Sequence, residues 1–203
     1  MNEVAVVILA AGMSTRMGKP KQILPLAGKP MVVHTARRAR SSKAERCLAV
    51  IGPERETMEA ALERVIDEVV INENFAAGQG TSIATAITYL IETDDLFGPC
   101  DAAVFVLGDQ PGIQTKVIDR VIDAWNRGAG IVMAQYADRA GHPVLFDRQF
   151  WSELAALEGD EGGKSVIARH SADVVYVTVE GHSPMDVDTD MDWRRLQELW
   201  SGN

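Results

Sequence analysis

Cysteine is nearly absent from this chain of 203 residues, and the two present, Cys47 and Cys100, are far apart and form no C-x-x-C pair. That spacing offers no basis for a zinc or dithiol site and leaves reduced, packed thiols as the expectation. Histidine is scarce as well: His34, His142, His170 and His182 show no H-x-x-x-H spacing that would put two rings on one helical face. No transition-metal site is implied. The apolar runs all fall short of the roughly 20 residues that a bilayer span requires. Acidic Glu3 and an immediate strand pattern are unlike a secretory leader, so a cytoplasmic address without membrane attachment is the expectation. Internal repeats, low-complexity tracts and interdomain linkers are also lacking. With 46% hydrophobic and 24% charged residues, the composition is that of an ordinary globular chain, and its length suits one good-sized α/β core over residues 1–203.

Acid is missing from one place only. The net charge is -9, yet Glu3 is the only acid in the first 44 residues, while eight of the 20 basic residues lie between Arg16 and Lys43. Overall acidity disfavours a general nucleic-acid binder, whose affinity rests on neutralising phosphates. A local positive field in an acidic protein instead draws in a small anion. Arg37, Arg38 and Arg40 read as a solvated helix face, which leaves Arg16, Lys19 and Lys21 as the cations of interest.

Those three follow the apolar run of residues 4–9, which is short, β-branched and without polar alternation, as expected of a strand covered on both faces in a parallel sheet. Function then belongs beyond its carboxyl end, where Ala10, Ala11 and Gly12 let a ligand approach the backbone. Two common phosphate loops do not fit. Five residues, not four, separate Gly12 from Gly18, and Pro20 stands where a Walker loop has its hydroxyl. Neither Gly78-x-Gly80 nor Gly128-x-Gly130 continues to the third glycine of a dinucleotide fingerprint. What remains is a third kind of polyanion loop.

Further along, Gly28-Lys29-Pro30 opens a helix to about Ala39, residues 47–51 form a second strand, Met58, Ala61, Leu62 and Val65 repeat at helical spacing, and residues 69–71 give a third strand. Right-handed crossovers place these strands side by side. The loop Gly78-Gln79-Gly80-Thr81-Ser82 runs into a helix carrying Ile83, Ile87 and Leu90, whose free amides and hydroxyls suit a base edge or an anion; either hydroxyl could equally cap the helix. Residues 102–107 form the strongest later strand and end in Gly108-Asp109-Gln110-Pro111. A carboxylate there is well placed for magnesium, which commonly takes one or two carboxylates plus substrate phosphates. After a helix from Lys116 to about Arg127, with Trp125 in the core, strands follow at 131–134, from Gly141 to Phe146 and at 174–179. Near the end, alternation puts Asp186 and Asp188 on one face of an extended segment before a helix with Trp193, Leu196 and Trp200. Either could complete a metal site, and Asp188 is the stronger candidate.

The pattern L-A-A-G-x-S-x-R-M-G-x-P-K-x-x-L-P-x-x-G-K-P over residues 9–30 resembles the signature of the MobA-like nucleotidyltransferases, and among them most nearly the molybdenum cofactor cytidylyltransferases. The resemblance implies one MobA-like domain over residues 1–203, a three-layer Rossmann-like α/β fold with a mostly parallel sheet. It also implies transfer of CMP from CTP to the phosphate of molybdopterin with release of pyrophosphate. By the same resemblance Leu9, Ala10, Ala11 and Gly12 hold base and ribose, with Gly80, Thr81 and Ser82 beside them. Arg16 and Lys21 hold the triphosphate, and Asp109, with Asp188, holds Mg2+. His142, Pro143, Gly162, Gly163 and Lys164 face the pterin acceptor. Lys164 stands where arginine is common, which removes bidentate recognition of a phosphate there. An apo-molybdoenzyme or its maturation factor is the implied recipient. The alternatives are a guanylyltransferase using GTP, whose branch has Leu-Ala-Gly-Gly where this chain has Leu9-Ala10-Ala11-Gly12, and a non-catalytic carrier of molybdopterin or nucleotide. A sugar-1-phosphate nucleotidyltransferase fits the length less well.

Overall fold

In the computed structural model, which describes residues 3–14, 17–18 and 20–201, the apolar run becomes strand β1, Val4–Ala10, buried along its whole length. Alternation splits its side chains between two cores. Val4, Val6, Ile8 and Ala10 enter one apolar cluster, and Ala5, Val7 and Leu9, with Ala11 just beyond the strand, enter the other. A strand with no polar face is stable only between two layers of helices, and that is the arrangement here.

A small antiparallel hairpin, β2 (Pro25–Leu26) and β3 (Lys29–Pro30), leads into helix α1, Met31–Arg40, with Pro30 at its N-cap. Then come β4 (Arg46–Ile51), α2 (Arg55–Leu62), β5 (Glu68–Ile71), α3 (Gln79–Glu92), α4 (Asp94–Phe97), β6 (Ala102–Leu107), α5 (Thr115–Trp125), β7 (Ile131–Gln135), β8 (Ala140–Asp147), α6 (Trp151–Ala155), α7 (Lys164–Arg169), β9 (Val174–Thr178) and α8 (Asp190–Ser201). The seven-stranded sheet has the order β5-β4-β1-β6-β8-β7-β9. Strands β5, β4, β1 and β6 are parallel, as the crossovers require. Strand β8 runs antiparallel to both β6 and β7, because the short turn in which Tyr136 donates its N–H to the Arg139 carbonyl folds β8 directly back on β7.

Helices α1, α2 and α5 cover one face, through Val32, Ala36, Met58, Leu62, Ile118 and Val121; α3, α6 and α7 cover the other, through Ile83, Ile87, Trp151, Leu154 and Val166. Trp125 is core, 6% exposed, and its indole N–H reaches Asp147 at 2.8 Å. Helix α2 stops at Leu62, short of Val65, because Val65 and Ile66 both donate to the Leu62 carbonyl and tighten the chain into a turn; Val65 still packs on the core. Cys47 and Cys100 are buried free thiols, and burial pushes the Cys47 thiol up to about 12. No helix among the described residues is long and apolar enough to cross a membrane.

Candidate functional site

Strands β1 and β6 are neighbours in the middle of the sheet, so the loops leaving their carboxyl ends meet. Between them lies a cavity of about 390 Å³ whose lining includes Leu9, Ala11, Gly12, Lys21, Ser82, Asp109 and Asp188. Seven residues singled out from four separate stretches of sequence are thereby brought together. Its charged centre is Lys21, whose ammonium lies 2.5 Å from Asp109 Oδ2 and 2.8 Å from Asp188 Oδ1. Burial lowers the lysine pKa, but the two carboxylates outweigh it and the net shift is upward, so the ammonium stays charged. An ammonium has three hydrogens; with two directed at carboxylates, the third can serve a phosphate oxygen.

The described residues contain no group of three His, Cys, Asp or Glu side chains able to hold a metal. Asp109 and Asp188 nevertheless converge on one cation, and hard carboxylate oxygens suit Mg2+ or Mn2+ when substrate phosphates supply the remaining ligands. Asp186 is engaged by other partners: Gln110 donates to its Oδ1 and Arg139 to its Oδ2, each at 2.6 Å. Of the two, Asp188 is the one that shares Lys21 with Asp109.

Some sequence candidates lie elsewhere. Arg16 and Lys19 are outside the described residues. Ala10 points to the opposite core from Leu9 and Ala11, as strand alternation demands, and does not line the cavity. Thr81 faces a separate groove on the far side of α3, where Asn72 donates to it at 2.9 Å and it donates to the Gly78 carbonyl at 2.8 Å. Its hydroxyl thus fastens the loop. Asn72, 1% exposed, also donates to Ser82 at 3.0 Å and so fixes the one hydroxyl of the pair that does reach the cavity. Neither residue caps α3, which begins at Gln79 with Gly78 at its N-cap and no side-chain bond.

Gly80 is a packing residue. Its N–H donates to the Gly159 carbonyl at 2.8 Å, and a Cβ at this position would sit 2.8 Å from the carbonyl oxygens of both Glu158 and Gly159. The two glycine loops, 78–82 and 159–164, therefore lie against each other. Gly80→Ala should destabilise the fold by about 1–3 kcal/mol through overpacking. In a helix without that contact the same change would stabilise by about 0.5–1 kcal/mol. The sign of the shift in a denaturant midpoint thus decides whether the contact exists.

Across this junction opens a second cavity of about 190 Å³, with Ile83, Phe105, Met133, Val144 and Phe146 among its apolar walls and His142, Gly162, Gly163 and Lys164 on its polar side. Pro143 is buried in β8 and does not line it. Gln79 and Asp160 line both cavities. The His142 Nδ1 is 3.1 Å from the Phe105 carbonyl oxygen, so Nδ1 carries the proton and Nε2 the lone pair. Burial lowers the His142 pKa below its ordinary value, despite the opposing pull of that carbonyl and of Asp109 and Asp186.

The sequence reading passed over Gln22, which is 5% exposed, lines the first cavity and donates to the Gly12 carbonyl at 3.2 Å, holding the loop's shape. Gln79 and Asp160 it had only as members of the segments 78–82 and 159–164, with no role of their own. The signal for Asp160 was its place in Gly159-Asp160-Glu161-Gly162-Gly163; nothing local marks Gln22.

A model of the MobA-like NTP transferase domain matches residues 6–174 of this chain. Among curated proteins, the bifunctional protein GlmU of Bordetella parapertussis is 31% identical over 139 residues, covering 68% of this chain and 30% of that protein. GlmU of Rhodospirillum rubrum is 33% identical over 175 residues, covering 85% and 37%. The chain thus spans about a third of the length of these curated relatives. Among solved structures, Rv0371c from Mycobacterium tuberculosis H37Rv superposes with a TM-score of 0.83 at 32% identity, covering 97% of this chain and 98% of that one. Rv0371c has also been crystallised in complex with manganese, with a TM-score of 0.81, 31% identity and coverage of 97% and 99%. A CMP:2-keto-3-deoxy-manno-octonic acid synthetase complexed with CTP shares the fold, with a TM-score of 0.79 over 99% of both chains, but only 13% of its residues.

Proposed function

Because this chain belongs to the family of MobA-like NTP transferase domains, and is a nucleotidyltransferase by family, we propose that it transfers CMP from CTP to the phosphate of a molybdopterin-type acceptor and releases pyrophosphate. The observation that carries this reading is the pair of adjoining cavities: a polar one holding Lys21, Asp109 and Asp188, and a more apolar one beside it, with Gln79 and Asp160 on their common border. A two-substrate transfer needs such a border, since holding both reactants in line supplies much of the rate.

In the reaction an acceptor phosphate oxygen attacks the α-phosphorus of CTP, the bond from that phosphorus to the bridging oxygen breaks, and pyrophosphate leaves with the electron pair. The nucleophile belongs to the acceptor, so no serine or cysteine is needed. Asp109 and Asp188 would hold a divalent cation, for which their oxygen donors are suited and which the manganese complex of the Mycobacterium tuberculosis relative supports. Bound there, Mg2+ would neutralise phosphate charge as it develops. Lys21 donates to the phosphates from between the two carboxylates, and Arg16, by its place in the acid-free loop, adds a second cation. His142 presents a lone pair in the second cavity, able to accept from an N–H of a heterocyclic acceptor.

Ala11 argues for the donor base. It is 3% exposed and lines the first cavity, where its methyl takes the room that a glycine would leave beside a bicyclic base. Excluding a purine on shape of this kind is typically worth ~10- to 200-fold. Pyrophosphate release measured across the four nucleoside triphosphates with a molybdopterin acceptor should therefore favour CTP over GTP by a factor in that range, and Ala11→Gly should narrow it. A native preference for GTP would discard the assignment of the donor. An unchanged ratio in the variant would leave the donor standing and remove Ala11 as its cause.

A further inference from the structure

Asp188 lies on no helix or strand. The chain from 182 to 189 is an extended strap between β9 and α8, and such a segment holds a carboxylate in place only if something holds the strap. At its start, Ser183 gives its backbone N–H to Asp138 Oδ1 and its hydroxyl to Asp138 Oδ2, both at 2.7 Å, and accepts from Arg139 Nε at 2.9 Å. At its middle, Asp186 is gripped by both oxygens, by Gln110 and by the Arg139 guanidinium, each at 2.6 Å. One residue on, Val187 is fully buried among Leu26, Met31, Trp193 and Leu196. At its end, Asp192 accepts from the backbone N–H groups of Asp188 and Thr189. Gln110 directly follows Asp109 and Asp186 stands two residues before Asp188, so the bond from Gln110 to Asp186 ties together the segments that carry the two carboxylates sharing Lys21.

Arg139 touches the strap at two points, Ser183 and Asp186. It also disposes of a charge. Asp186 left ionised without its guanidinium would add a third negative group two residues from Asp188 and would no longer be held from both sides. We infer that Arg139, on the turn between β7 and β8, is a positioning residue for the divalent-cation site: by pinning Ser183 and Asp186 it sets the strap so that Asp188 faces Lys21 and Asp109. The inference rests on the reading of Asp109 and Asp188 as cation ligands. It does not depend on which nucleotide or acceptor is used.

Partners that orient a metal's own ligands typically change metal affinity by ~10- to 100-fold when removed. Arg139 is half-exposed, so its ion pair contributes little to global stability and the variants should fold. The experiment follows the electron paramagnetic resonance signal of free Mn2+ during titration of the native protein, with CTP or GTP present and the same nucleotide without protein as the blank, and repeats it for Arg139→Ala, Arg139→Lys and Asp186→Ala. Arg139→Ala should weaken Mn2+ binding by about 10-fold or more. Its turnover should recover at raised Mn2+ rather than at raised CTP. Arg139→Lys should fall between native and Ala, because an ammonium can reach Asp186 but cannot also hold Ser183. The double variant Arg139→Ala, Asp186→Ala should cost less than the two single effects combined, as expected for groups acting as one unit. Arg169→Ala, which loses only a surface partner in Glu153, should bind as the native chain does.

Native Mn2+ affinity in Arg139→Ala overturns the inference, as does native affinity in Arg139→Lys if the alanine variant does not fold. A native chain that binds no Mn2+ overturns it together with the cation reading. A native chain that binds Mn2+ but moves no CMP discards the proposed substrates alone, and the variant series then still decides the role of Arg139.

Discussion

Asp109→Asn should reduce pyrophosphate release by several orders of magnitude while circular dichroism and the thermal transition stay close to native. The carboxylate stands directly after β6, where strand geometry fixes its position, and it is one of the two oxygen donors that meet at Lys21. Asparagine keeps the shape and one acceptor oxygen, so the turn in which Gln110 donates back to the Leu107 carbonyl survives. What disappears is the negative charge. A hard divalent ion held there would lose a charged ligand, and Lys21 would keep Asp188 to offset its burial. The measurement is pyrophosphate release against magnesium or manganese concentration for native and variant protein. Full activity with an unchanged metal titration would show that Asp109 holds no metal.

Lys21→Ala should lower turnover by roughly 10²- to 10³-fold, the usual consequence of deleting a preorganised donor aimed at developing charge. A second effect separates this lysine from an ordinary phosphate-binding cation. Without its ammonium, Asp109 and Asp188 face each other as like charges, so the nucleotide-free protein should lose stability that a divalent ion restores. The expected result is a lowered thermal midpoint in chelator that rises on adding Mn2+ by more than the native midpoint does. Equal midpoints in chelator for variant and native protein would mean that the lysine does not bridge the two carboxylates. Native turnover in the variant would remove it from the reaction altogether.

Both expectations join something legible in the sequence to something that was not. The apolar run of β1, the basic loop after it and the carboxylate after β6 could all be read directly, because burial on two faces leaves a run without polar alternation and because chain reversals after strands use small and polar residues. The helices of both outer layers followed from spacing in the same way, with α1 starting at Met31 directly after Pro30 and α3 beginning beside the Gly78–Gly80 pair. Where local reading went astray, a tertiary contact was the reason. Thr81 looked like a ligand or a cap, yet Asn72 and the Gly78 carbonyl occupy its hydroxyl. Gly80 looked like a flexible ligand loop and is instead the place where backbone meets backbone at Gly159. Val65 kept the helical spacing but sits in a turn that packs on the core without being helical.

The sequence alone therefore determined the sheet's central strands, the address of the site at their carboxyl ends, the family signature over residues 9–30 and the acid-free field around it. These are properties of neighbours in the chain, set by periodicity, turn chemistry and charge within a few residues. Tertiary structure decided which carboxylates share a cation. Lys21 and Asp188 are 167 residues apart, Asp186 and Arg139 47 apart, and no local pattern says what Asp186 or Asp188 pairs with. Only folding the strap back across the ends of β1 and β6, with Val187 anchored in the core beside it, commits Asp186 to Gln110 and Arg139 and turns Asp188 toward Lys21.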